Sequence, residues 1–175
     1  MAESEGLPEI QVPGSFELLY QSDYATVVGL VYGLTGSRWV AEDLAQEAFL
    51  RAHRDWGNVG AMNSPGGWVR RVALNLARSR WRRLQTESAA RLKISSSDHA
   101  PGPEPDAAVE GFWREVRRLP SRQAQAVALH YVEDLSVSEI AVVLGVAEGT
   151  VKALLHQGRQ RLRRQLVAKG LADEV

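Results

Sequence analysis

The chain has 175 residues, 45% of them hydrophobic, enough for one medium domain or two small ones, each with a modest core. It has no cysteine, which excludes disulfide staples, thiolate metal sites and a cysteine nucleophile and suits a reducing, cytoplasmic compartment. No apolar run of about eighteen residues is present to span a bilayer, so no membrane insertion is expected, and the acidic start MAESEGLPEI lacks the pattern of a secretory signal.

The net charge of zero hides a strong segregation. Trp68 to Leu84 carries Arg70, Arg71, Arg78, Arg80, Arg82 and Arg83 without an acid. Thr150 to Gly170 carries Lys152, Arg159, Arg161, Arg163, Arg164 and Lys169, again without an acid. Between them, Ser95 to Glu110 holds Asp98, Glu104, Asp106 and Glu110 and no base. Two basic blocks around an acidic spacer point to two contacts with a polyanion, whereas a single such block is equally well explained as a solvated face.

In chain order, residues 1–14 read as a disordered acidic tail and Phe16 to about Leu34 as a helix ending near Gly36. Ala41 to Trp56 is the next helix, with Leu44, Ala45, Ala48, Phe49 and Ala52 on its core face. Its opposite face gathers Asp43, Gln46, Glu47, Leu50 and Arg54, where the apolar Leu50 among polar neighbours marks a candidate partner surface. After the turn NSPGG a third helix buries Trp68, Val69, Val72, Ala73, Leu76 and Ala77. Arg71, Asn75, Arg78 and Arg82 share a separate face with Ser79 at its edge. An amide inside an arginine strip suits base reading while guanidiniums hold phosphates.

Ile94 to Ala108, ISSSDHAPGPEPDAA, reads as a flexible acidic linker between domains at 15–93 and 109–170, followed by a short tail at 171–175. Beyond it, Val109, Phe112, Trp113, Val116 and Leu119 predict a helix that Pro120 stops, and Ser121 is placed to cap the next, RQAQAVALHYV. Ser136 and Glu139 have capping-box spacing at the start of Val137 to Leu144, a helix packed through Ile140 and Ala141, and Gly145 suits a left-handed helix end. The last helix buries Val151, Leu155, Leu162 and Leu166. It presents Gly149, Lys152, Ala153, His156, Gln160 and Arg163, with Thr150 and Arg159 flanking: the layout of a helix-turn-helix whose second helix enters a major groove. The fold class is therefore all-α, two small helical domains, an N-terminal bundle and a C-terminal helix-turn-helix domain of four helices.

These segments resemble the extracytoplasmic-function class of sigma factors over nearly all of Phe16 to Lys169. AEDLAQEAFLRA resembles that family's D-x-x-Q-E-x-F helix, which implies a core-polymerase contact by Asp43, Gln46 and Glu47, with Phe49 mainly a packing residue. GGWVRRVALNLARSRWRR resembles the family's minus-10 helix, implying that Asn75, Arg78, Ser79 and Arg82 touch the melted element; the loop before Trp68 adds Asn63 and Ser64 as residues that trap an unstacked base. The C-terminal helix pair resembles the minus-35 reader, with Glu148, Gly149, Lys152, Ala153 and His156 at the bases or groove edge and Arg159 and Arg163 over phosphates. Ala147, Ala153, Leu154 and Gln157 depart from the family pattern, and two of them replace phosphate-binding arginines, which would weaken minus-35 binding.

The implied partners are RNA polymerase core and promoter DNA, with an anti-sigma protein as a further partner the resemblance allows. No cofactor, metal or catalytic residue is expected: His53, His99, His130 and His156 are scattered without metal-ligand spacing. Two alternatives remain open from the residues: a helix-turn-helix regulator that works without polymerase, and a recombinase-type enzyme carrying a C-terminal helix-turn-helix.

Overall fold

The structure is a computed structural model describing residues 15–88 and 107–168, with side chains described over 15–83 and 109–168. The expected tails and the expected linker up to residue 106 lie outside the described residues. Among these, eight helices and no strands are found.

Local chemistry sets most helix ends. α1, Phe16–Thr35, starts where Ser15 Oγ accepts from Leu18 N at 3.2 Å. It ends at Gly36, whose φ of 71° lets its N–H reach Tyr32 O at 2.7 Å. α2, Arg38–Arg54, begins three residues before the Ala41 expected from periodicity, because the Ser37 side chain accepts from Val40 N and caps it there. The single turn α3, Trp56–Val59, has no signal in the apolar period and closes the first bundle with buried Val59. α4, Pro65–Ser88, opens with proline at its first position, where no N–H is needed, and with Ser64 Oγ accepting from Gly67 N at 3.1 Å.

α5, Ala107–Val116, takes in the last two residues of the expected linker, and Leu119 lies beyond its end while staying buried. Val109, expected on the buried stripe, is exposed. α6, Ser121–Tyr131, corrects a second expectation: Ser121 is its first residue and not its cap. Pro120 occupies the cap position with extended backbone, and its carbonyl accepts from Gln123 N and Ala124 N at 2.8 and 3.0 Å. α7, Val137–Leu144, carries the full capping box, with Ser136 Oγ accepting from Glu139 N and Glu139 Oε2 accepting from Ser136 N at 2.8 Å. Gly145 ends it at φ 64°. In α8, Glu148–Ala168, Val151 and Leu155 are buried, whereas Leu162 and Leu166 are only half-buried. Gly158 lets the helix approach α6, where a Cβ would meet Val127 at 2.8 Å.

The first core joins α1, α2, α3 and α4 through Val27, Val31, Ala45, Phe49, Val59 and Ala73. The second joins α5 to α8 through Trp113, Val116, Leu129, Ile140, Val151 and Leu155, and it also takes in Leu30 of α1 and Leu74 of α4. The two bundles therefore share a seam and do not stand apart. Leu74 was absent from the expected stripe of α4, of which Val69, Ala73 and Ala77 are buried and Trp68, Val72 and Leu76 half-buried.

Glu139 has its carboxyl held below the ordinary glutamate range, first by the Ser136 hydroxyl and then by the Ser136 backbone N–H. A depressed carboxyl stabilises the fold above its unfolded value, and that contribution is lost as pH falls through the folded one. Ser136→Ala is expected to cost about 1 kcal/mol through the lost cap at neutral pH. Urea unfolding at a series of pH values should show the gap between variant and parent narrowing in acid.

Candidate nucleic-acid interface

Every residue of the expected recognition face of α8 is open to solvent: Glu148, Gly149, Thr150, Lys152, Ala153, His156, Arg159 and Arg163 are all exposed. The capped α7, the tight turn at Gly145 and the burial of Val151 and Leu155 against the core hold that face outward. Gln160 Nε2 lies 2.9 Å from His156 Nε2, an i to i+4 bond that fixes the imidazole along the helix. Arg159 Nε donates to Leu155 O at 3.3 Å and Arg164 Nε to Gln160 O at 3.3 Å, so two basic side chains lie back along their own helix.

Two departures from the family pattern have structural work. Leu154 is half-buried and packs on the second core, and Gln157 Oε1 accepts from the buried Gln123 Nε2 at 3.0 Å. Leu154 thus ties α8 to the second core and Gln157 ties it to α6.

On α4, Arg71, Asn75 and Arg82 are exposed, and Arg78 and Ser79 half-buried. Arg78 borders a cavity of about 220 Å³ in the seam, together with Leu34, Val40, Ala77, Trp81 and Leu119. Arg70, in the same basic run, does something different. Its Nη1 donates to Asp23 Oδ2 at 2.8 Å and its Nε to Glu133 Oε2 at 2.7 Å, the Glu133 side chain being 3% exposed. Burial disfavours the Arg70 charge, but Glu133 and Asp23 outweigh it and raise its pKa. Arg122 is lowered by burial and by the charges of Arg78 and Arg71. A basic block thus holds one structural arginine among its outward ones, and only its two distant carboxylate partners distinguish it.

Asn63 and Ser64 are both exposed in the turn before α4, where Ser64 also serves as the helix cap. On α2 the core face is buried as expected at Leu44, Ala45, Ala48, Phe49 and Ala52. Asp43, Gln46, Leu50 and Arg54 are exposed, and Glu47 is half-buried with its Oε1 accepting from Arg51 Nε at 2.7 Å. Among the described residues Leu50 stays 49% exposed, an apolar spot inside a polar surface. Sequence reasoning missed Asp23, Leu74, Gln125 and Glu133, read Arg70 only as part of the basic run, and placed Trp113 correctly on a buried stripe without its role at the seam. Among the described residues no group of acids and histidines is arranged to hold a metal, and no helix is long and apolar enough to cross a membrane.

Comparison with known proteins agrees with this geometry. A family model described as Sigma-70 region 2 matches residues 19–87, and one described as Sigma-70, region 4 matches residues 110–162. The chain is 33% identical over 151 residues to the ECF RNA polymerase sigma factor SigW of Bacillus subtilis (strain 168), covering 78% of this chain and 81% of that relative. It is also 33% identical over 162 residues to the ECF RNA polymerase sigma factor SigE of Mycolicibacterium smegmatis, covering 85% of this chain and 60% of that relative. The fold matches the sigma factor RpoE of Bartonella quintana, solved as a co-crystal with the anti-sigma factor NepR, at a TM-score of 0.71 and 21% identity, over 86% of this chain and 96% of that one. With two sigma regions in order along the chain, the helix-turn-helix placed as the sequence predicts and a relative matched over most of its length, the chain belongs to the ECF RNA polymerase sigma factors.

Proposed function

We propose that this sigma factor directs RNA polymerase core to promoters by binding alone, with no bond chemistry of its own, and that three exposed faces divide the work in the cytoplasm. The observation that carries the reading is the outward placement of three chemically distinct surfaces on a shared scaffold. Asp43, Gln46, Glu47, Leu50 and Arg54 on α2 form the core-polymerase face, a polar surface with one apolar anchor. Arg71, Asn75, Arg78, Ser79 and Arg82 on α4 contact the melted minus-10 strand, with Asn63 and Ser64 holding an unstacked base. Glu148 to Arg163 on α8 read the minus-35 element in the major groove. The co-crystallised RpoE supports an anti-sigma protein as a further partner.

The α2 assignment predicts that Asp43→Ala combined with Leu50→Glu abolishes co-purification with core polymerase while leaving the thermal melt unchanged, since neither side chain is buried. Retained co-purification would remove this face from the interface.

For α4, Asn75→Ala is expected to change which minus-10 sequences open, whereas Arg82→Ala weakens opening on all of them, because an amide reads a base edge and a guanidinium at a phosphate does not. Permanganate footprinting of the holoenzyme over variant promoters separates the two; uniform loss with Asn75→Ala refutes the base-reading role.

For α8, Arg163→Ala should lower affinity about equally for every minus-35 sequence and reduce the salt slope by about one. Glu148→Gln and His156→Ala should instead reorder the sequences, Glu148 by accepting from a cytosine amine or orienting a neighbouring lysine. Competition binding of holoenzyme at several salt concentrations reads both effects.

A further inference from the structure

The cavity beside Arg78 combines an apolar body with two polar ends. Its volume of about 220 Å³ exceeds the roughly 150 Å³ that admits one benzene ring in an apolar protein core. Leu34, Val40, Ala77, Trp81, Leu119 and Ala124 give it an apolar wall drawn from both bundles. A helix with its side chains is about 10–12 Å across, so a space of this size takes one ring with short substituents and not a partner helix.

At one end stands a cation without a counter-charge. Arg78 is half-buried at the cavity, and among the described residues no carboxylate pairs with it, with Arg71 or with Arg122. Its neighbours are like charges: burial first, then Arg78 and Arg71, lower the Arg122 pKa. The first turn of α6 reaches the same cavity at Ser121, and no side chain caps that turn, because Pro120 holds the cap position. Backbone N–H groups at a helix start and a half-buried guanidinium both favour an anion. The other arginines of the wall are engaged, Arg117 with Glu110 and with Gly33 O at 2.9 Å, and Arg80 over the Trp39 ring.

The other end calls for a donor. Gln125 lines the cavity and is only 3% exposed. Its Nε2 is committed to Leu74 O at 3.1 Å, which leaves Oε1 to accept, and Oε1 is buried with no hydrogen-bond partner. An acceptor left unpaired in a buried wall carries a desolvation cost that a bound N–H or O–H removes. Ser121, Ala124 and Gln125 share one face of α6, and four residues of helix set the two ends about 6 Å apart. That is close to the separation of two groups across a para-substituted benzene ring.

We propose that this cavity is a binding site for a small aromatic hydroxycarboxylate, whose carboxylate sits on Arg78 and the first turn of α6, whose ring lies among Val40, Trp81 and Leu119, and whose hydroxyl donates to Gln125 Oε1. The site goes beyond the promoter-directing reading and does not depend on it, since occupancy is measured on the free chain. Titration calorimetry of the full chain with para-hydroxybenzoate, benzoate and phenol tests both ends. Para-hydroxybenzoate should bind about tenfold or more tightly than benzoate, which leaves Gln125 unpaired, and than phenol, which leaves Arg78 unpaired. Arg78→Gln should bring para-hydroxybenzoate to within about twofold of phenol while preserving its advantage over benzoate. Gln125→Leu should erase the advantage over benzoate while preserving the one over phenol. Opposite losses of this kind do not arise from general unfolding, and a thermal melt of each variant checks its fold. Ala124→Leu, which fills the cavity, should abolish binding. Absence of para-hydroxybenzoate binding to the parent, equal affinity for all three probes, or binding that survives Ala124→Leu overturns the site. Binding that appears only after Asp98→Asn, Glu104→Gln and Asp106→Asn also overturns it, because the occupant is then the chain's own acidic segment.

Discussion

A guanidinium withdrawn from solvent must keep its charge paired, and in this protein that requirement organises the structure around Arg70. Its two carboxylates come from α1 and from the segment after α6, so satisfying one side chain fixes α4 against both bundles. The rotation of α4 follows. At about 100° per residue, Val69, Ala73 and Ala77 lie on one side of Arg70, while Leu74 is displaced roughly 40° to the other side. Arg71, Asn75, Arg78 and Arg82 follow at roughly 80° to 140°. The helix therefore has three faces in sequence around its circumference: first core, seam and arginine strip. The seam lies between the other two, which is why the arginine strip adjoins the second bundle.

In the C-terminal bundle much of α8 is given over to packing. α8 spends Val151, Leu155 and Gly158 on its approach to the core, packs Leu154 on the second core and uses Gln157 to fasten its flank to α6. The remaining exposed side carries Glu148, Lys152, His156, Arg159 and Arg163. Leu154 packs on the second core and Gln157 accepts from Gln123, so these two positions make internal contacts and add no positive charge near the start of the helix. Arg159 and Arg163, one and two turns further along, are exposed and retain that charge.

The ends of the elements obey local rules where a side chain can reach the backbone. Ser15, Ser37, Ser64 and Ser136 each offer a hydroxyl to an unpaired N–H, and Gly36 and Gly145 adopt the left-handed conformation that closes α1 and α7. The one expected cap that failed, Ser121, shows the limit of pattern reading. Proline before it already supplies the required extended backbone and a carbonyl for the first turn, and the serine moves one position into the helix.

The all-α class, the order of the helices, the capping box, the buried stripe of α2 and the outward face of α8 were all legible in the amino-acid sequence, because periodicity and capping act between residues three or four apart. The family was legible too, since its motifs are short runs along single helices. What periodicity does not contain is the pairing of Arg70 with Asp23 and Glu133, or of Leu30 and Leu74 with a core built about forty or more residues downstream. Those partners are separated along the chain and have ordinary local surroundings, so Arg70 reads as one more arginine of a basic strip and Leu74 as a stray apolar residue. Only the tertiary structure decided that the two bundles close on each other, because that choice depends on long-range burial and charge pairing and leaves no period in the sequence.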